Sequence, residues 1–272
     1  MGISSLHSKA VVRRAVTCCV AAALAVTFAA TIEARAQDRP PCHAPLDVVR
    51  LAQPLTRVAH KLAARQPLVI VAIGSSSTAG AGASSPAANY PSRLQAELQQ
   101  AFPGAAVNIV NSGVNGEVAS DMIGRFDDAV IAHKPDLVLW QVGTNSVLRD
   151  HPLKDHGALI RIGIDKVRAA GADVVLIDPQ FAPKVIAKPD AEHMVELIAT
   201  TAKVEAVDLF PRFAVMKRWR DVDGLDFKTF VSADGLHMND WSYACMAKGL
   251  GVAIAEAAQR PVLSAKATAV RR

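Results

Sequence analysis

The apolar run of residues 68–73 constrains the fold more than any other part of the chain. It is rich in β-branched residues and stops at Gly74, where a serine-rich stretch of residues 75–80 begins. Such a run predicts a strand buried on both faces, which is typical of a parallel sheet covered by helices. Ligands of these sheets bind beyond the carboxyl ends of the strands. The serines are therefore candidate nucleophiles, with an ordinary Ser/Gly turn as the alternative.

Four further segments rich in apolar residues predict strands at residues 107–110, 137–142, 173–177 and 204–209. Segments with helical spacing alternate with them, at residues 91–102, 119–133, 155–170, 192–203, 211–220 and 240–258. This alternation predicts an α/β fold, namely a doubly wound, three-layer α/β/α domain around a parallel sheet of about five strands. We expect an N-terminal arm and helix at 37–66, a catalytic domain at 67–259 and a basic tail at 260–272.

The first 36 residues have the pattern of a secretory signal. Lys9, Arg13 and Arg14 precede an apolar run of residues 15–32, and a small-x-small sequence ends at Ala36. This pattern predicts export with cleavage near Ala36 and no stable membrane anchor afterwards. A permanent transmembrane anchor is the alternative, because the run is about as long as a short span.

Most of the positive charge belongs to this segment. The chain has 30 Lys and Arg against 25 Asp and Glu, and the first 36 residues hold four of the former and one of the latter. The remainder keeps 26 basic and 24 acidic residues, a net charge of +2. No dense basic stripe remains, so a nucleic-acid partner is not expected.

Two cysteines lie outside the predicted signal, Cys42 and Cys245. In an exported protein such a pair is a candidate disulfide, which would tie the N-terminal arm to the last helix. Two separate buried thiols are the alternative.

Three of the predicted strands are followed by groups of glycine and polar residues instead of ordinary turns. The three groups are Gly74-Ser75-Ser76, Asn115-Gly116 and Gly143-Thr144-Asn145. A parallel sheet brings these ends to one edge. Acyl transfer needs a nucleophile, a base beside it and donors for the developing oxyanion. Serine, a glycine N–H and an asparagine amide meet two of those needs, and a histidine must meet the third.

His237 is the best candidate for the base, because Asp234 precedes it by three residues on a turn. The carboxylate can fold back to the ring Nδ1 and leave Nε2 facing the serine. A helix-entry carboxylate beside a surface histidine is the alternative. His151 and His156, with Asp150 and Asp155, lack the usual spacing of metal ligands, so we expect solvated polar residues there. Neither a metal nor a cofactor is expected.

The order of these motifs resembles that of the SGNH (GDSL-type) hydrolases, whose fold is flavodoxin-like. The resemblance covers residues 74–237. It implies Ser76 as nucleophile, His237 as base and Asp234 as the acid that orients it. It also implies an oxyanion hole made by the Ser76 N–H, the Gly116 N–H and the Asn145 amide.

Two positions depart from the family pattern, since Ser75 and Ser146 stand where acidic residues are common. Of the three adjacent serines we assign Ser76, because Ser75 would point back along the strand and Ser77 into the turn. The resemblance predicts an esterase that cleaves short-chain or O-acetyl esters, on a small molecule or a polysaccharide, through an acyl-enzyme, and the N-terminal pattern predicts that this esterase is secreted. An acyltransferase with the same triad, or a non-catalytic carbohydrate-binding module on this fold, is the alternative.

Overall fold

The computed structural model describes residues 40–42 and 45–260. The chain divides into two compact units, residues 1–42 and 43–272, and the elements given below all belong to the second. The predicted signal at 1–36 and nearly all of the predicted tail lie outside the described residues. The predicted domain boundaries therefore stay predictions.

The sheet has five strands, all parallel, in the spatial order β2-β1-β3-β4-β5. Their bounds are β1 Leu68–Gly74, β2 Val107–Gly113, β3 Leu137–Gln141, β4 Asp173–Ile177 and β5 Asp208–Phe210. This is the flavodoxin-like order of a doubly wound fold. The predicted fold class is confirmed.

Thirteen α-helices lie in the described part of the chain, most of them between strands. They are α1 Leu46–Val49, α2 Thr56–Ala63, α3 Ser76–Ala79, α4 Tyr90–Ala101, α5 Ala119–Gly124, α6 Phe126–Ala129, α7 Thr144–Leu148, α8 His156–Ala169, α9 Pro183–Ile186, α10 Ala191–Val204, α11 Arg212–Asp221, α12 Phe227–Phe230 and α13 Asp240–Gln259. Short 3-10 turns occur at Pro86–Ala88, Ile131–His133 and Leu153–Asp155.

The helices form two layers. Helices α4 and α13 pack against each other on one side of the sheet, whereas α8 contacts both α5 and α10 on the other. The chain passes from β1 to β2 on one side and places β3, β4 and β5 on the other side of β1. The direction of winding therefore changes between β1 and β3, and the carboxyl ends of these two strands form the crevice where doubly wound folds bind ligands.

Helices on both faces bury the two central strands. Residues 70–73 of β1 and residues 137–140 of β3 are fully buried. On the α5/α8 side, the ring of Trp140 occupies the space that a Cβ at Gly163 would need, at 2.2 Å. Helix α8 can approach the sheet this closely because position 163 is a glycine.

The structure corrects several predicted bounds. Strand β2 continues to Gly113 rather than residue 110, because it pairs with β1 until Gly74 meets Gly113. The prediction of a strand at 204–209 is wrong for the first four residues, because β5 begins at Asp208. Val204 is the last residue of α10 and is 71% exposed, and Ala206 turns the chain with a φ of 48°. The helix predicted at 119–133 is broken into α5, α6 and a 3-10 turn.

None of the helices in the described part of the chain combines the length and the apolar character that a membrane span needs.

Candidate active site

The serine-rich stretch leaves β1 and becomes the short helix α3. Ser75 and Ser77 are buried, with 2% and 1% of their surface exposed, whereas Ser76 is partly exposed. Gly80 follows the last residue of this helix and has a left-handed backbone with a φ of 107°. Of the three adjacent serines, only Ser76 can therefore meet a substrate from the crevice.

The turn that carries Asp234 and His237 reaches the same crevice from the far end of the sequence. The Nε2 atom of His237 lies 2.8 Å from the Ser76 hydroxyl oxygen. The Nδ1 atom lies 2.5 Å from the Asp234 carboxylate. Backbone pairing of Val231 with Met238 closes this turn. The structure thus brings together the three residues expected to form a triad, in the order that nucleophilic catalysis requires.

Asp234 is held in its charged form. Partial burial opposes ionisation, but hydrogen bonds from the His237 ring, from the N–H groups of His237 and Leu236 and from the Ser232 hydroxyl outweigh it. The pKa of the carboxyl therefore lies well below its usual range. An ionised Asp234 orients the imidazole and stabilises the imidazolium that would form when His237 takes a proton.

The predicted oxyanion donors lie on two neighbouring loops that bind each other. The side-chain amide of Asn145, in the first turn of α7, donates one N–H to the Glu117 carbonyl at 2.8 Å. No acceptor for its second N–H occurs among the described residues. Gly116 has a φ of 82°, and its carbonyl accepts from the Arg149 guanidinium at 2.7 Å.

An ion pair stiffens the loop that carries Gly116. The guanidinium of Arg125 contacts both carboxylate oxygens of Glu117 at 2.6 to 2.9 Å. The same group donates to the Ser112 carbonyl at 2.8 Å. Both side chains are less than a quarter exposed. Paired guanidinium–carboxylate bonds fix orientation as well as distance. The loop is therefore anchored at both of its ends.

The loop after β2 is also joined to the nucleophile turn. The Val114 N–H donates to the Gly74 carbonyl at 3.0 Å, and a Cβ at Gly113 would come within 2.1 Å of the Ala79 nitrogen. Within the described residues, neither the Ser76 N–H nor the Gly116 N–H donates to a protein acceptor. Both donors are free to bind an oxyanion.

A second buried network lies behind α7 and the His237 turn. Gln180 accepts from the Thr144 hydroxyl and from the guanidinium of Arg212, and it donates to the Leu236 carbonyl. Arg212 is 1% exposed. Its Nε also donates to the carbonyl of Asp178, whose side chain is buried as well. Burial raises the pKa of the Asp178 carboxyl to about 7.

The remaining predicted sites can also be placed. Cys42 and Cys245 are each disulfide-bonded. Their pairing with each other stays a prediction. The expectation of solvated polar residues at 150–156 is wrong for His156, which is 5% exposed and bonds the Pro152 carbonyl through Nδ1. Asp150 pairs with Lys188. Across the described ranges, no three His, Cys, Asp or Glu side chains are grouped so as to hold a metal ion.

Sequence reasoning missed the residues that support the site, namely Gln141, Ser232, Glu117, Arg125, Gln180 and Arg212. A weak signal exists for Gln141, a polar residue at the end of an otherwise apolar strand. Ser232 lies two residues before Asp234, at a spacing typical of turns. Nothing in the sequence distinguishes Glu117, Arg125, Gln180 or Arg212 from surface polar residues.

Comparisons with known proteins identify the family and the fold of the chain. The sequence model of the Non-GDSL lipase-like family matches residues 41–260. An arylesterase of Vibrio mimicus is 26% identical over 141 residues, which are 50% of this chain and 69% of the relative. An acetylxylan esterase of Geobacillus stearothermophilus is 38% identical over 56 residues, 21% of this chain and 26% of the relative.

A similar fold occurs in the crystal structure of a two-domain esterase active on acetylated mannans. The TM-score is 0.67 at 18% sequence identity, over 79% of this chain and 57% of that one. The chain therefore spans little more than half of that two-domain protein and about a quarter of the acetylxylan esterase. At this identity the likeness establishes the fold.

Proposed function

This chain belongs to the Non-GDSL lipase-like family of SGNH-type ester hydrolases, and we propose that it is an exported esterase that works through an acyl-enzyme on Ser76. The observation that carries the proposal is the 2.8 Å contact between the Ser76 hydroxyl and His237 Nε2. The other ring nitrogen of His237 lies against an ionised carboxylate. A serine so placed can lose its proton as it attacks a carbonyl.

The reaction proceeds in two halves. The Ser76 oxygen attacks the ester carbonyl carbon, and His237 takes the hydroxyl proton. The N–H groups of Ser76 and Gly116 and the amide of Asn145 bind the oxyanion. When the ester C–O bond breaks, His237 gives its proton to the departing alcohol. Water then attacks the acyl-enzyme, loses a proton to His237 and releases the carboxylic acid, and the proton returns to Ser76.

The proposed substrates are short acyl esters, in particular O-acetyl groups on a polysaccharide. Two of the similar proteins are named for acetylated xylan and acetylated mannan. The partly open position of Ser76 supports a substrate that approaches from the surface. Export is supported by the basic, apolar and Ala-x-Ala pattern of the first 36 residues.

Hydrolysis of nitrophenyl acetate by the purified protein and its variants tests this function. We expect Ser76→Ala to lower kcat at least about 1,000-fold, because no other group replaces the nucleophile. Ser85→Ala is the matched control, since Ser85 is exposed and its hydroxyl caps no helix. Equal background rates for wild type and Ser76→Ala would refute the esterase proposal and favour a binding module.

Acetylated xylan and mannan oligosaccharides test the substrate class. Release of free acetate that depends on Ser76 supports the proposal. Acetyl groups that move to an added sugar, with little free acetate, would instead identify an acyltransferase.

A further inference from the structure

Strand β3 ends on a buried polar side chain directly beneath the nucleophile turn. Gln141 is 1% exposed and follows four fully buried apolar residues. A buried amide is stable only when it is hydrogen-bonded. Its Oε1 atom accepts the Ser75 N–H at 2.9 Å and the Ser75 hydroxyl at 3.1 Å. Gln141 therefore binds both the backbone and the side chain of Ser75, the residue before Ser76.

The same oxygen also reaches the residue two positions after Ser76. The Thr78 hydroxyl lies 3.3 Å from Gln141 Oε1 and 3.3 Å from the Tyr90 hydroxyl. Tyr90 is fully buried, and burial raises its pKa to about 12, so the phenol keeps its proton and can donate to Thr78. One amide thus connects both sides of the turn that presents the nucleophile.

This contact depends on the glycine that ends β1. A Cβ at Gly74 would lie 2.2 Å from the Thr78 hydroxyl oxygen and 2.8 Å from Gln141 Oε1. The space that a side chain would occupy at position 74 is filled by the two groups that support the turn. Gly74 is therefore part of the same arrangement.

We propose that Gln141 is a positioning residue for the nucleophile. By fixing Ser75 and Thr78, it sets the backbone of Ser76 so that the hydroxyl meets His237 and the N–H meets the oxyanion. The inference rests on the proposed function. It also explains one departure from the family pattern, because a neutral amide paired with Ser75 supports the turn without burying a charge.

Ser146, the second departure from the family pattern, does not support the turn in this way. The Ser146 hydroxyl is fully buried, and among the described residues it has no hydrogen-bond partner. Ser146→Ala is therefore a matched control. It removes a buried hydroxyl from the same edge of the sheet without removing a bond.

Three variants test the positioning role. Gln141→Leu removes the acceptor at similar size, and we expect kcat per active site to fall about 10- to 100-fold, since small misplacements of a nucleophile have effects of this order. The KM should stay within about twofold, because Gln141 does not reach the substrate. Gln141→Glu keeps the acceptor but replaces a neutral amide by a buried carboxyl. Compared with the wild type at the same pH, it should recover most of the lost kcat in mildly acidic solution, where a protonated carboxyl buries no charge. Ser146→Ala should match the wild type.

Active sites are counted by titration with a fluorophosphonate, so that misfolded protein does not affect kcat. An unchanged kcat per site in Gln141→Leu overturns the positioning role, and so do equal losses in the Leu and Glu variants, which would indicate packing alone. If Gln141→Leu does not fold, Ser75→Ala tests the positioning role instead, because it removes the hydroxyl that Gln141 binds. A three- to tenfold loss of kcat at constant KM supports the role, and no loss overturns it. A wild-type protein that neither reacts with the probe nor hydrolyses esters overturns the proposed function itself.

Discussion

The Asp234 carboxylate accepts four hydrogen bonds from its own turn. Ser232 Oγ, Leu236 N and His237 N donate to one oxygen at 2.8 to 2.9 Å, and His237 Nδ1 contacts the other. The turn is in effect a carboxylate-binding loop that also presents the base. Because the pKa of Asp234 is lowered, its protonation should not limit activity in mildly acidic solution.

Ser232→Ala removes one of these four donors and leaves the other three. We expect kcat/KM to fall about three- to tenfold, since the carboxylate and the imidazole keep most of their orientation. Ser232→Thr keeps the hydroxyl, so its kcat/KM should fall less than that of Ser232→Ala. If Ser232→Ala lost as much kcat/KM as Asp234→Ala, the other three donors would not be enough to keep the carboxylate in place.

Asp178 gives the protein a pH-dependent stability. Burial raises its pKa from 3.8 to about 7, so between these values the folded state holds a proton that the unfolded state releases. The stabilising contribution is complete below about pH 4 and is lost as the pH rises through 7. From pH 5 to 8 the free energy of unfolding should fall by roughly 2 to 3 kcal/mol through this group.

Asp178→Asn should flatten that dependence, because the amide cannot ionise and its oxygen can still accept the Phe213 N–H. Urea unfolding at pH 5, 6, 7 and 8 measures it. If the wild type instead gained stability over Asp178→Asn as the pH rose, Asp178 would be ionised and paired with Arg212.

At the scale of elements, the loop after α3 packs directly on the His237 turn. A Cβ at Gly82, where φ is 86°, would lie 2.3 Å from the Met238 carbonyl and 2.9 Å from the His237 Cβ. The loop is fixed on α13, because the Tyr243 hydroxyl donates to the Ala81 carbonyl and Ser84 bonds Asp240. The nucleophile helix and the base turn are thus joined by the loop between them.

Gly82→Ala should therefore lower both stability and kcat, the latter at least about tenfold, because the new methyl group displaces His237. Gly104→Ala is the matched control. Gly104 has the same φ of 86° with nothing within 4 Å, so it should share the backbone strain and leave kcat unchanged. Equal effects of both substitutions on kcat would contradict this role for the loop.

Elements with long, strongly patterned segments could be predicted from the sequence. The bounds of strands β1, β3 and β4 are predicted to within a residue because at least four consecutive apolar residues form most of each strand. Strand β5 was misplaced because the apolar Val204 ends a helix at the surface, where hydrophobicity does not indicate a strand. The helices α3, α7 and α9 are too short for a periodic pattern to reveal them.

The triad could be proposed from motifs, but its supports could not. The Gln141–Ser75 bond joins residues 66 positions apart, and it exists only because β1 and β3 are neighbours in the sheet. The Gln180–Leu236 bond spans 56 positions. Such contacts follow from topology, and the residues involved carry no local signature.

At the scale of the whole molecule, the edge of the sheet opposite the active site holds the N-terminal arm. Asp136, Asp173 and Asp208 lie at the amino ends of β3, β4 and β5. They accept the N–H groups of Val69, Val58 and Gln53, respectively. Asp136 is 1% exposed and also pairs with Arg57 and Lys61. The edge formed by the amino ends of the strands thus contributes to stability, and the edge formed by their carboxyl ends carries the candidate active site.

Asp136→Ala should lower the free energy of unfolding by about 2 to 4 kcal/mol, because it leaves the partly buried Val69 N–H without its acceptor and two cations without their partner. The kcat should be unchanged. Asp127→Ala is the control, since the exposed pair of Asp127 with Lys166 contributes at most about 1 kcal/mol. A loss of kcat in Asp136→Ala would contradict the separation of the two edges.

Covalent trapping of the nucleophile tests whether Ser76 is the reactive residue of an ester-hydrolysing site. A fluorophosphonate forms a stable phosphonyl ester with an activated serine, and mass spectrometry of the digested protein locates it. We expect one adduct per chain on Ser76, none in Ser76→Ala and strongly reduced labelling in His237→Ala, which lacks the base. An adduct on Ser75 or Ser77, equal labelling of Ser76→Ala, or no adduct on the wild type would show that Ser76 is not an activated nucleophile.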